Sequence, residues 1–266
     1  LPDARRVLRA GCIFGMVFWR GGVARLLGES MSASQLQHWL QQLSQAELIT
    51  QRPTSHIVGD EEYAFAHTLV REAAHAMLTE QDRALGHHLA AEYLEDSGEL
   101  DAAALAEHWE RSDKPERAIS RYVRAAWQAL EGNDLDVVIR HAERAISCGA
   151  AGDALGEIWA AQAEAYMWRG DPESALKCGN EALSLLPQRS TRWYQVIGVV
   201  AISAGRHSNS DELQRLCDLL REQGEAGESS DAYINAATRT TMQLFVVGDY
   251  PRAVALFKVL QPFMEA

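Results

Sequence analysis

Nine histidines, four cysteines and 37 carboxylates offer ample material for chemistry, so their spacing decides what they can do. Cys12, Cys148, Cys178 and Cys217 lie far apart with no C-x-x-C pair, which supports neither a zinc site nor a disulfide framework. His87 and His88 are adjacent and would point about 100° apart on a helix, unsuited to one metal ion. No histidine stands at ligand spacing from a carboxylate. The phosphate-loop, dinucleotide, zinc-protease and serine-elbow signatures are all missing. The segment therefore reads as one that binds: no catalytic residue, metal ligand or cofactor is assigned within it.

Binding candidates are easier to find. Arg117, Arg121 and Arg124 fall at i, i+4 and i+7, with Arg140 and Arg144 on the next helix. Such a stripe could hold a phosphate or an acidic peptide by bidentate contacts, or could be a solvated face paired with neighbours such as Glu116 and Glu143. His67 lies within a segment, Tyr63 to Leu78, that leaves a β-hairpin and enters a helix. An imidazole there could meet a ligand, cap the helix or bond across the hairpin.

The elements that would carry these residues are mainly helical. Three short helices come first, around Asp3 to Gly15, Phe18 to Leu27, and a third opened by Ser32-Ala33-Ser34 with Leu36, Trp39, Leu40 and Leu43 on one face. Two strands follow, Leu48 to Arg52 and Glu62 to Ala66, joined by a turn-rich segment with Pro53 and Gly59. Three helices and a hairpin predict a winged-helix-like head over residues 1–78. Winged helices often read DNA, yet no Lys or Arg occurs between Arg25 and Arg52, where the recognition helix would lie. DNA is therefore not the expected partner.

A helical connector is expected over 79–112 and helical repeats over 113–266. Helices are predicted at Pro115–Leu130, Leu135–Ser147, Ala154–Arg169, Pro172–Leu185, Thr191–Ala204, Asp211–Glu222, Asp231–Val247 and Pro251–Met264. The fold class predicted is all-α. From Trp159 to Pro187 the chain resembles the tetratricopeptide pattern, with Trp159, Ala163 and Tyr166 on a first helix, Gly170-Asp171-Pro172 in the turn, and Ala175, Gly179 and Ala182 on a second. Turn positions are expected at Asn133, Gly170, Gly205 and Gly248. Alignment to this pattern places Trp127 and Leu130, Glu164, Met167 and Trp168, Val199 and Ile202, and Met242 and Phe245 along a concave groove. These could anchor the apolar face of a partner protein or peptide, or pack against neighbouring repeats.

Totals narrow the classes further. A formal charge of −12 over 266 residues argues against broad nucleic-acid or anionic-membrane binding. No apolar run approaches the roughly 20 residues of a membrane span, and four widely spaced cysteines suit a reducing cytoplasm. The chain opens on Leu1-Pro2-Asp3, without Met, which leads us to expect a larger parent polypeptide.

The segment FAHTLVREAA, Phe65 to Ala74, resembles the end of the winged-helix domain in STAND-class regulatory ATPases, including the Met-His-Asp motif of their NB-ARC branch. The match falls on His67, Leu69, Val70, Arg71, Glu72 and Ala73, with Ala66 and Thr68 in place of the Met and Asp. The head together with LAEHWERSDKPERAISRY, Leu105 to Tyr122, is similar to bacterial STAND proteins joined to a Ser/Thr protein kinase or adenylate cyclase. The resemblance implies a regulatory, partner-sensing arm, with ATP or ADP and Mg bound by a neighbouring nucleotide-binding domain of the parent. It assigns His67 the role of touching the β-phosphate of ADP. Alternatives of another class are a DNA-binding regulator with a tetratricopeptide sensor arm and a passive assembly scaffold.

Overall fold

Residues 2–264 are described in a computed structural model. The chain is mostly helical, with one small antiparallel sheet. It divides into two compact units, Leu1–Arg121 and Tyr122–Ala266.

In the first unit α1 (Pro2–Phe14) leads to β1 (Val17–Trp19), α2 (Arg20–Leu27), α3 (Ala33–Gln45), β2 (Ile49–Gln51) and β3 (Glu62–Phe65). The strand order is β1-β3-β2, so β3 is central, pairing Phe18 with Tyr63 and Thr50 with Ala64. Residues 18–27 were expected to be helical throughout. Instead Val17-Phe18-Trp19, β-branched and aromatic, take the extended form and give the hairpin a third strand. Ser32 caps α3 in a reciprocal capping box with Gln35, and α3 buries Leu36, Leu40 and Leu43. These join Val7, Ile13, Phe18, Ile49, Tyr63 and Phe65 in one core, where each large side chain contributes roughly 1.5–3 kcal/mol.

The loop between β2 and β3 is pinned at both ends. Glu62, 1% exposed, accepts from the Arg52 guanidinium at 2.9 Å and from the backbone and ring of His56 at 2.9 and 3.0 Å. Burial alone would raise its pKa, but those hydrogen bonds hold it below the usual carboxylate value. Asp60 accepts the Gly21 N–H at the start of α2 and the Tyr93 hydroxyl. Then come α4 (Thr68–Ala76), α5 (Glu80–Asp96) and α6 (Ala102–Glu110). The residues read as a connector pack within this unit, α5 on α1 and α2 and α6 on α5.

The division between units falls inside α7 (Ala118–Glu131). The second unit continues with α8 (Leu135–Ser147), α9 (Gly152–Arg169), α10 (Pro172–Leu185), α11 (Thr191–Arg206), α12 (Ser210–Glu225), α13 (Asp231–Val246) and α14 (Tyr250–Met264). One turn recurs in it. Asn133, Gly170, Ser208 and Gly248 each adopt positive φ, and each is followed by Asp134, Asp171, Asn209 or Asp249, whose carboxylate or amide oxygen accepts a backbone N–H of the next helix. At each turn the Asp or Asn N–H also reaches back to a carbonyl of the preceding helix, as Asp171 N–H does to Tyr166 at 3.0 Å. These residues are 37, 38 and 40 apart. The turn expected at Gly205 therefore lies at Ser208, because α11 runs on to Arg206 before the left-handed residue ends it.

Small residues allow the helices to approach. A Cβ on Gly179 of α10 would stand 2.4 Å from Val200 on α11, closer than two carbons can come. Behind it Trp193, Tyr194, Ile197, Leu213, Leu216, Leu220 and Tyr233 form one continuous core.

Candidate partner-binding groove

Four helices of the second unit each turn side chains into one concavity of about 530 Å³. Trp127 and Leu130 come from α7, and Glu164 and Trp168 from α9, one turn apart. Arg192, Gln195 and Val199 come from α11 at i, i+3 and i+7, and Arg239 from α13. The helical period aligns the contributions within each helix, and Asn133, in the turn after α7, completes the lining. A neighbouring recess of about 350 Å³ shares Gln195 and Arg239 and adds Thr191, Gly198 and Asn235.

The wall is set by a three-membered contact. The Trp127 indole N–H donates to Glu157 at 3.1 Å, Arg192 Nε donates to the same oxygen at 3.0 Å, and the Arg192 guanidinium lies 3.6 Å over the indole. Arg192 also donates to Gln195 at 2.7 Å. Its charge is therefore offset within the wall. Arg239 has no carboxylate within ion-pairing distance among the described residues. It can lie across α11 because residue 198 is glycine: a Cβ there would meet Arg239 Cδ at 2.9 Å. Trp168 is 63% exposed at the rim.

Among the groove residues expected from sequence, Trp127, Glu164, Trp168 and Val199 are brought together here. Met167, 4% exposed, instead packs inward with Ala163, Ala175 and Cys178, and Ile202 packs against the same cluster. Met242 and Phe245 are exposed on α13 but do not line the concavity, and the Phe245 ring sits 6.2 Å from Tyr250. Arg192, Gln195 and Arg239 were not anticipated. The available signal was Gly198, a residue with no helical advantage in mid-helix except where another group must pass.

The arginine stripe is largely committed. Arg117 donates to Glu95 at 3.1 Å and Arg121 to the same carboxylate at 2.8 Å, and Arg124 also makes an interaction within the chain. His67 stands at the N-cap position of α4 with its carbonyl accepting from Val70 at 3.0 Å. Its ring makes no capping bond and is exposed beside Leu69, itself 76% exposed.

Among the described residues no group of three or more His, Cys, Asp or Glu is placed to hold a metal ion, and no helix is long and apolar enough to cross a membrane. No protein-family model and no curated protein matches the chain.

Proposed function

We propose that this chain is a partner-binding arm, whose second unit receives an extended peptide or helix of another protein in the concavity between α7, α9, α11 and α13. The observation that supports this most is the convergence of Trp127, Glu164, Trp168 and Val199 from three successive odd-numbered helices on one surface. Trp168 supplies a large exposed apolar anchor of the kind that dominates interface energetics, and Arg239 a guanidinium free to take a carboxylate. The recurrent turn at Asn133, Gly170, Ser208 and Gly248 favours a tetratricopeptide-like solenoid for this unit. Binding of library-selected peptides should fall by about tenfold or more in Trp168→Ala. Unchanged binding would remove the groove.

The first unit supports a winged-helix-like reading, with α1 to α3 and three antiparallel strands. Within the parent we place it beside a nucleotide-binding domain of a STAND-type ATPase that holds ATP or ADP with Mg, with His67 reaching the nucleotide. The unbonded, exposed imidazole of His67 and the exposed Leu69 next to it favour this over a capping role. A partner bound in the groove would then pull the head from the nucleotide and release a fused kinase or cyclase, each ligand preferring a different state. His67→Ala in the parent protein should weaken ADP binding. Unchanged ADP affinity would end that role.

A further inference from the structure

The first unit contains a second, larger recess with a different chemistry. It has a volume of about 710 Å³, the size of a small-molecule site, and lies among α1, α4, α5 and α6. Three guanidiniums reach it from three separate places: Arg71 on α4, Arg83 on α5, and Arg111 at the end of α6. In a molecule of net charge −12 this is a local concentration of cations.

Their bonds leave charge to spare. Arg83 gives Nε and Nη2 to the neutral carbonyl of Leu78, at 3.3 and 3.1 Å, and has no carboxylate partner among the described residues. Arg71 comes no closer to Glu72 than 3.7 Å. Arg111 pairs with Glu107 at 3.4 Å, and the other carboxylate of the lining, Glu80, is exposed at the first position of α5. His75 lines the same recess, and burial first, then the field of Arg83, Arg71 and Arg111, hold its pKa below the usual imidazole value.

Two imidazoles complete the wall. His87 is 5% and His108 8% exposed, and their Nδ1 atoms lie 3.0 Å apart. One proton occupies that contact, so in the neutral pair one ring carries Nε2–H and the other a bare Nε2 lone pair. Neither Nε2 has a partner among the described residues. Neither atom is among the fully buried side-chain atoms left without a partner, so each keeps some exposure in a recess that both rings line, where a ligand can meet it. Phe14 and Ile13 supply an apolar side to the recess.

We propose that this recess binds a small phosphate ester, with Arg71, Arg83 and Arg111 holding the phosphate and Phe14 and Ile13 covering its organic part. Guanidinium groups match phosphate oxygens in geometry and charge, and the histidine pair offers one further donor and one acceptor. The site is independent of the groove in the second unit.

Calorimetric titration of the full chain with phenyl phosphate, inorganic phosphate and succinate tests this. Phenyl phosphate should bind saturably, more tightly than inorganic phosphate and than succinate, and should shift the ring NMR signals of His87 and His108. Arg83→Gln and Arg111→Gln should each weaken it about tenfold or more, while Arg140→Gln, on the second unit, should not. Thermal melts check that the variants fold, and the histidine signals report on the unaltered chain. Absence of saturable binding of phenyl phosphate, equal affinity for succinate, or unchanged affinity in both arginine variants would overturn the proposal.

Discussion

Each unit contains the same three-residue contact, put to different use. In the first, the Trp109 indole donates to Glu95 at 2.7 Å, Glu95 accepts from Arg117, and the Arg117 guanidinium lies 3.6 Å over the indole. In the second, Trp127, Glu157 and Arg192 repeat the arrangement with the same 3.6 Å stacking distance. Trp109 is fully buried and Glu95 also takes Arg121, so the contact fastens α5, α6 and the start of α7 together. Trp127 is half-buried, and its contact forms the wall of a concavity. Residue types alone therefore do not separate a fastening from a binding surface. What remains open on the indole does.

Truncating the two tryptophans should break the symmetry most visibly. Trp109→Ala should cost about 3–5 kcal/mol, since it empties a buried volume, whereas Trp127→Ala should cost about 1–2 kcal/mol, as urea unfolding would show. Equal losses would mean that Trp127 is as structural as Trp109. Removing the shared acceptor sharpens the point at smaller amplitude. Glu95→Ala leaves a buried indole N–H and two guanidiniums unserved and should cost about 2 kcal/mol, against about 1 kcal/mol or less for Glu157→Ala.

The His87–His108 pair gives the first unit a pH dependence. Burial, then the neighbouring His108 and Arg111, hold His87 down at about 3, and burial and Arg111 hold His108 at about 4, against 6.5 for the free ring. Below about pH 6.5 the unfolded imidazoles take up protons that the folded ones refuse, so stability falls on acidification through this window and is flat above it. A His87→Gln, His108→Gln double variant should lose less stability than the parent chain between pH 7 and pH 4.5. The smallest expected change is in stability at Trp168→Ala, within about 0.5 kcal/mol because the side chain is 63% exposed.

The helices were legible where caps and period agreed. α8 and α10 run over the expected residues because Asp134 and Asp171 mark their starts. β1 escaped because three residues are too short for any alternation to register, and Ser208 because its left-handed turn carries no glycine. In the groove, the resemblance to the tetratricopeptide pattern points to Trp127 on α7 and to Glu164 and Trp168, which share one face of α9. It cannot reveal that Arg239 crosses α11 at Gly198, a matter of how two helices pack. His87 and His108 are 21 residues apart on different helices, and nothing in their local sequence announces the pair.

The concavity as a partner site is tested by the affinity of peptides selected from a random library on the full chain, remeasured on the Trp168→Ala, Arg239→Gln double variant. Selected peptides should carry an apolar side chain and a carboxylate, and should lose about a hundredfold or more in affinity in the double variant, with the melting temperature unchanged. Peptides that bind the double variant as tightly as the parent chain would show that the concavity is not where partners are held.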